Sequence, residues 1–120
     1  MTLHFTKHSD NSPLIGYHVT EENHLPAIKR RGILPMAPED YDDFEGVYLF
    51  KSLEDVQEAL MNWLGDRIED VEEKSGISYN EIVLEVNLSG LEEYLLDSVE
   101  YEWVCFVPIE PHRIIRTIKM

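Results

Sequence analysis

Cysteine is almost missing from this chain. Cys105 is the only one in 120 residues, so no disulfide can close within it. That excludes a small disulfide-stapled scaffold and favours the cytoplasm. Long apolar runs are missing too: none reaches the roughly 18 residues that a membrane-spanning helix needs. Met1–Asp10 lacks the apolar stretch of a secretory leader. No membrane association is therefore expected. Positive charge is scarce, with 10 Lys+Arg against 24 Asp+Glu and a net charge of −14. Nucleic-acid binding draws heavily on Lys and Arg, so nucleic acid is disfavoured as a partner and a basic protein surface fits better. Keeping the chain soluble is an equally good use of that charge. There is no Gly-rich phosphate loop, no Cys/His spacing suited to zinc and no Ser-His-Asp elbow, so no metal is expected.

What remains is an ordinary apolar fraction of 43%, enough for one core and one cleft in a single domain over residues 1–120. Leu14–Val19 is a short apolar run that suits a buried strand. Thr20-Glu21-Glu22-Asn23 supplies N-cap chemistry for a helix with Pro26 in its first turn, three basic residues in its last and Gly32 just beyond. Pro35 and Pro38 keep the next stretch irregular. Val47–Phe50 reads as a strand, and Ser52 caps a following helix with Glu54 and Asp55 in its first turn. Leu53, Val56, Leu60, Trp63 and Leu64 recur at helical spacing and read as core, with Gly65 as the end of that helix. Asp66–Lys74 reads as a second, solvated helix stopped by Gly76, and Glu39–Glu45 as an acidic loop. Tyr79–Leu88 is the clearest strand, with Ile82, Leu84, Val86 and Leu88 on one face. Leu91–Ser98 reads as a loop or short helical turn. Tyr101–Val107 and Arg113–Ile118 close the chain as two strands. The fold class implied is α+β, with mixed or antiparallel strands and two or three short helices.

On composition and spacing alone, His18 is a strand-end histidine, Tyr48 a core aromatic and Glu102 a surface acid. Their surroundings suggest more. Gly16-Tyr17-His18-Val19-Thr20, with a helix running to Arg31-Gly32-Ile33-Leu34-Pro35, resembles the opening of ADP-ribosyltransferase-fold proteins. Glu45-Gly46-Val47-Tyr48-Leu49-Phe50 resembles the Gly-Ile-Tyr-Phe strand of their poly(ADP-ribose) polymerase branch. Tyr101-Glu102-Trp103-Val104-Cys105-Phe106 is similar to that branch's late strand, which opens on its glutamate. Pro108–Ile114 resembles the family's last turn and strand. Ile82–Val86 is similar to a strand of the RNA 2′-phosphotransferase C-terminal domains. The resemblance covers about 14–118.

The resemblance implies a small single-domain ADP-ribosyltransferase-like fold and a transferase that takes NAD⁺ as its substrate. Glu102, His18 and Tyr48 would be catalytic. His18, Val19, Thr20, Tyr48 and Ser52 would hold the dinucleotide. In that scheme Glu102 accepts from the nicotinamide-ribose 2′-OH and His18 binds a ribose hydroxyl. The Val19 peptide grips the carboxamide, and the Tyr48 ring lies on the nicotinamide. Glu100 stands two residues before Glu102, on the same side of an extended strand, at the offset where some relatives orient the acceptor. The acceptor favoured is a protein. Lys29, Arg30, Arg31 and Lys51 are the basic candidates for the two phosphate charges. The RNA 2′-phosphotransfer activity is disfavoured, because those enzymes use several arginines and an additional N-terminal domain. A second reading keeps the fold as a non-catalytic acidic interaction or inhibitor module. A toxin or effector role is compatible with either.

Overall fold

A computed structural model describes residues 13–36 and 45–120. The readings made on Met1–Asp10, on Pro38 and on the acidic loop up to Phe44 lie outside the described residues. Local signals set most element ends. Strand β1 (Ile15–Glu21) passes through a 3-10 turn into helix α1 (Leu25–Arg31), whose early proline needs no N–H partner. Gly32 ends α1 with φ of 80°, and a Cβ there would lie 2.0 Å from the Ile109 carbonyl oxygen. Glycine therefore permits both the turn and the close approach. Ile33 then exchanges backbone hydrogen bonds with Ile109, at 2.9 Å each way.

Strand β2 (Val47–Phe50) leads to helix α2 (Leu53–Met61). The Ser52 hydroxyl accepts from the Asp55 N–H at 3.0 Å and donates to the Asp55 carboxylate at 2.8 Å. Helix α3 (Trp63–Ser75) follows after a break at Asn62 and ends at Gly76 in the left-handed conformation. Gly65 does not end a helix as its sequence suggests. It lies inside α3, where a Cβ would come 2.0 Å from the Leu60 carbonyl oxygen, so it lets α3 turn tightly against α2.

The remaining strands are β3 (Glu81–Asn87), β4 (Leu95–Val99), β5 (Glu102–Cys105) and β6 (Ile114–Ile118). Together they make one six-stranded sheet in the order β4-β5-β2-β1-β3-β6, with every neighbouring pair antiparallel. The α+β expectation holds, and its mixed-or-antiparallel alternative resolves to antiparallel. β4 lies where a loop or helical turn was expected. Only Leu95 and Leu96 of it are buried, so it carries no alternating signature. β1 also runs two residues further than its apolar run.

The core divides between the sheet's two faces. One face, with Leu49, Leu84, Leu88, Leu95 and Ile109 fully buried, is covered by α1 and the late turns. Each such side chain contributes on the order of 1.5–3 kcal/mol by leaving water. The other face packs Phe50 and Val83 under Val56 and Ala59 of α2. The acidic α3 has no fully buried residue, in line with its reading as a solvated helix.

Candidate functional site

The sheet is split at its centre. β1 aligns with β3 over seven consecutive pairs, but with β2 at one only, Tyr17 opposite Phe50. Past that rung the strands diverge and a gap opens between the C-terminal half of β1 and the N-terminal half of β2. The direction of the peptide groups follows from the ladder. The Leu14 carbonyl accepts from Leu88 N–H, and Glu22 N–H donates to the Asn80 carbonyl. Even-numbered residues of β1 thus turn their peptide groups towards β3, and Val19 turns its N–H and C=O towards the gap. Likewise Lys51 N–H donates to Tyr101, so odd-numbered residues of β2 bond β5 and the Tyr48 carbonyl faces β1.

His18 spans the gap. Its Nδ1 lies 2.9 Å from the Tyr48 carbonyl oxygen. A carbonyl can only accept, so Nδ1 carries the hydrogen and Nε2 is the acceptor. Burial lowers the imidazole pKa from its ordinary value of 6.5, the Tyr48 hydrogen bond opposes the shift, and His24 adds to it. The ring is therefore neutral near pH 7, with one donor committed and one acceptor available for a hydroxyl.

Two compartments open on either side of this waist. The first, about 440 Å³, is lined by His18, Val19, Tyr48 and Glu102, with Phe50 and Trp63 as aromatic walls. Leu64 and Arg67 of α3 and Ser98, Val99 and Tyr101 of the β4–β5 hairpin complete it. The second, about 630 Å³, lies on the α1 side and includes Thr20, Ile28, Arg31 and Tyr79. His18, Val19 and Tyr48 belong to both. The volumes fall in the usual range for ligand clefts. Burial and the charges of Glu21 and Glu81 raise the Tyr79 pKa, so its phenol stays protonated.

Glu102 is half-buried as the first residue of β5, opposite Phe50 on one side and Val99 on the other. Register slips between Asp97 and Val99, so Ser98 is the extra residue of a bulge beside the cleft. Glu100 does not share a strand face with Glu102. It and Tyr101 form the two-residue turn between β4 and β5, and Glu100 is exposed and outside the cleft lining. Thr20 is buried, but it caps no helix. Its hydroxyl lies 3.3 Å from His24 Nδ1, and Glu21 takes the N-cap position of the 3-10 turn without a side-chain bond. Ser52 lines neither compartment, since its hydroxyl is engaged at both Asp55 positions.

Of the basic candidates, Arg31 reaches the second compartment, while Lys29 and Arg30 are exposed and line neither. Lys51 pairs with Asp97 and stands 5.5 Å from the Trp103 ring centre. Arg67, set inside the acidic stretch of α3, supplies the positive charge of the first compartment. Leu64 packs against the core as its spacing suggested and also lines the cleft, whereas Trp63 is cleft wall and not core. The legible signal was an i, i+4 pair of Trp63 and Arg67 on an otherwise acidic helix. Among the described residues, no group of three or more His, Cys, Asp or Glu is placed to hold a metal ion, and no helix is long and apolar enough to cross a membrane. No protein-family model matches the chain, and no curated protein matches it.

Proposed function

We propose that this protein is an NAD⁺-dependent ADP-ribosyltransferase of the His-Tyr-Glu type, which breaks the nicotinamide–ribose bond and passes ADP-ribose to an acceptor. The observation that carries the reading is the meeting of His18, Tyr48 and Glu102, far apart in sequence, on one compartment at the split in the sheet. A dinucleotide has two halves joined by a pyrophosphate, and the cleft has two compartments joined at a waist. The nicotinamide half fits the aromatic first compartment, where the Tyr48 ring offers a stacking face and the Val19 peptide edge a donor and an acceptor for the carboxamide. The adenosine half fits the second. The neutral His18 accepts a ribose hydroxyl through Nε2, and Arg31 and Arg67 offset the phosphates in an otherwise acidic protein.

Catalysis then needs little covalent work from the protein. The bond from ribose C1′ to the ring nitrogen breaks, its electron pair stays on nitrogen, and neutral nicotinamide leaves. Positive charge spreads over C1′ and the ring oxygen, as in glycoside cleavage. The Glu102 carboxylate holds the ribose 2′-OH and lies beside that developing charge, a stabilisation greatest in the transition state. The acceptor attacks C1′ and gives up its proton. A protein acceptor suits the net charge of −14 better than nucleic acid.

The deciding experiment follows nicotinamide release and transfer of labelled ADP-ribose for the wild type and Glu102→Gln. Loss of the charge with retention of shape is expected to lower kcat by about 10²–10³ while leaving NAD⁺ binding largely intact. Binding without turnover in the wild type would return the non-catalytic module. Equal turnover by the two proteins would refute the role given to Glu102.

A further inference from the structure

A third, smaller cavity of about 160 Å³ opens beside the first compartment. The two share Trp63 and Tyr101, so the aromatic pair is a wall between them. Phe50, Trp63 and Tyr101 form one array, with ring centres 6.1–6.5 Å apart. Phe50 belongs to the core, but Trp63 and Tyr101 are each 39% exposed. Exposed rings in a recess suit an anchoring surface better than structural filling. The rest of the small cavity is lined by Ala59, by Asn62 and by two acids of α2, Asp55 and Glu58. Among the described residues, neither carboxylate is paired with a basic side chain. Asp55 accepts from the Ser52 hydroxyl, and no ion pair between described residues involves α2. The Trp63 indole already attracts a cation on the cleft side, where the Arg67 guanidinium stands 5.4 Å from the ring centre. Arg67 does not line the small cavity.

We infer that this aromatic and acidic recess binds a cationic side chain, lysine or arginine, of the protein that accepts ADP-ribose. Two rings and two carboxylates around a narrow space match a guanidinium or ammonium on both counts: ring faces attract the cation and carboxylates neutralise it. The recess shares a wall with the compartment that contains Glu102, so a residue seated there brings its neighbours to the mouth of the cleft. The inference rests on the transferase reading, which makes water and a basic protein segment alternative acceptors. The recess selects the second.

The test uses the intact protein and a labelled, end-capped ten-residue peptide in three forms, with a central Arg-Arg, Lys-Lys or Gln-Gln. Glu58→Gln and Glu58→Lys change an exposed helix position outside the NAD⁺ cleft. Peptide binding is read by fluorescence anisotropy without NAD⁺, and nicotinamide release to water is read separately. The basic peptides are expected to bind the wild type about tenfold more tightly than the Gln-Gln form. Glu58→Gln should reduce that preference and Glu58→Lys abolish it, with release to water unchanged. Whether Arg-Arg or Lys-Lys binds better distinguishes the two cations. Equal binding of all three peptides, indifference to Glu58→Lys, or a preference for a single-stranded oligonucleotide stacked on the rings would overturn the inference. Absence of nicotinamide release alone would remove the transferase reading and leave the binding result to decide the recess.

Discussion

Acidification should cost this protein stability through a single imidazole. His18 is enclosed, its pKa is lowered from 6.5 chiefly by burial, and its Nδ1–H is held by the Tyr48 carbonyl. In the unfolded chain the same ring takes up a proton at about its ordinary value. Below pH 6.5, therefore, the unfolded state binds a proton that the folded state refuses, and stability falls. His18's contribution is full above pH 6.5 and is lost as pH drops towards the lowered folded-state value. The slope of one such group is about 1.4 kcal/mol per pH unit. Between pH 7.5 and 5.5 the loss is expected to approach roughly 1 kcal/mol, before most carboxylates begin to titrate. Urea unfolding at a series of pH values, for the wild type and the non-titrating His18→Gln, isolates this contribution. The other four histidines are common to both proteins, so their own titrations cancel in the difference and only the coupling of His24 to His18 remains within it. The variant should be less stable at pH 7.5 and show a shallower decline on acidification. Parallel curves, or an NMR titration of His18 at or above 6.5, would refute the account. Protonation of the folded ring removes the Nε2 acceptor, so affinity for NAD⁺ should hold through that window and weaken only as pH falls through the lowered folded-state value.

Two further substitutions separate structural from ligand-binding roles around the cleft. Ser52→Ala removes the α2 cap and should cost about 1 kcal/mol in chemical denaturation, with NAD⁺ affinity unchanged; a selective loss of affinity would restore Ser52 to the binding site. Gly32→Ala forces a Cβ towards the Ile109 oxygen at a φ of 80°. It should destabilise the fold by about 2 kcal/mol or more, seen as a lowered Tm, and a neutral result would mean that the α1 exit can rearrange.

The readable parts of this fold were those with local causes. Pro26, Gly32, Ser52 and Gly76 each act within a turn or two of themselves, and all four mark element ends where the sequence puts them. The face of Ile82, Leu84, Val86 and Leu88 follows from their period-two spacing, with Val83 buried on the opposite face. The misreadings have a non-local cause. Leu95–Val99 is a strand because β5 supplies its partner, not because its residues alternate. Thr20 lost its capping role because pairing with β3 carries β1 as far as Glu21. Gly65 is the exception, a local effect: its missing Cβ serves the close approach of the Leu60 carbonyl and not a helix end. Glu100 was expected in an extended strand, but a tight turn takes it out of register with Glu102. His18, Tyr48 and Glu102 were singled out through resemblance, while Phe50, Trp63 and Arg67 beside them were not. The spacing of Trp63 and Arg67 marks a shared helix face, but where that face meets the cleft depends on how α3 crosses the sheet, which no local pattern encodes.

The lone Tyr17–Phe50 rung has a mechanical consequence. Three strands lie to either side of it, joined within each trio by ladders of four to seven pairs, so the sheet consists of two three-stranded plates with a narrow seam. Slight rotation about that seam sacrifices few backbone bonds yet alters the width of the cavity that the seam borders. An occupant touching both plates would act as a clasp, and its arrival should slow amide hydrogen exchange at Val19 and Tyr48 while leaving the outer strands β4 and β6 as they were.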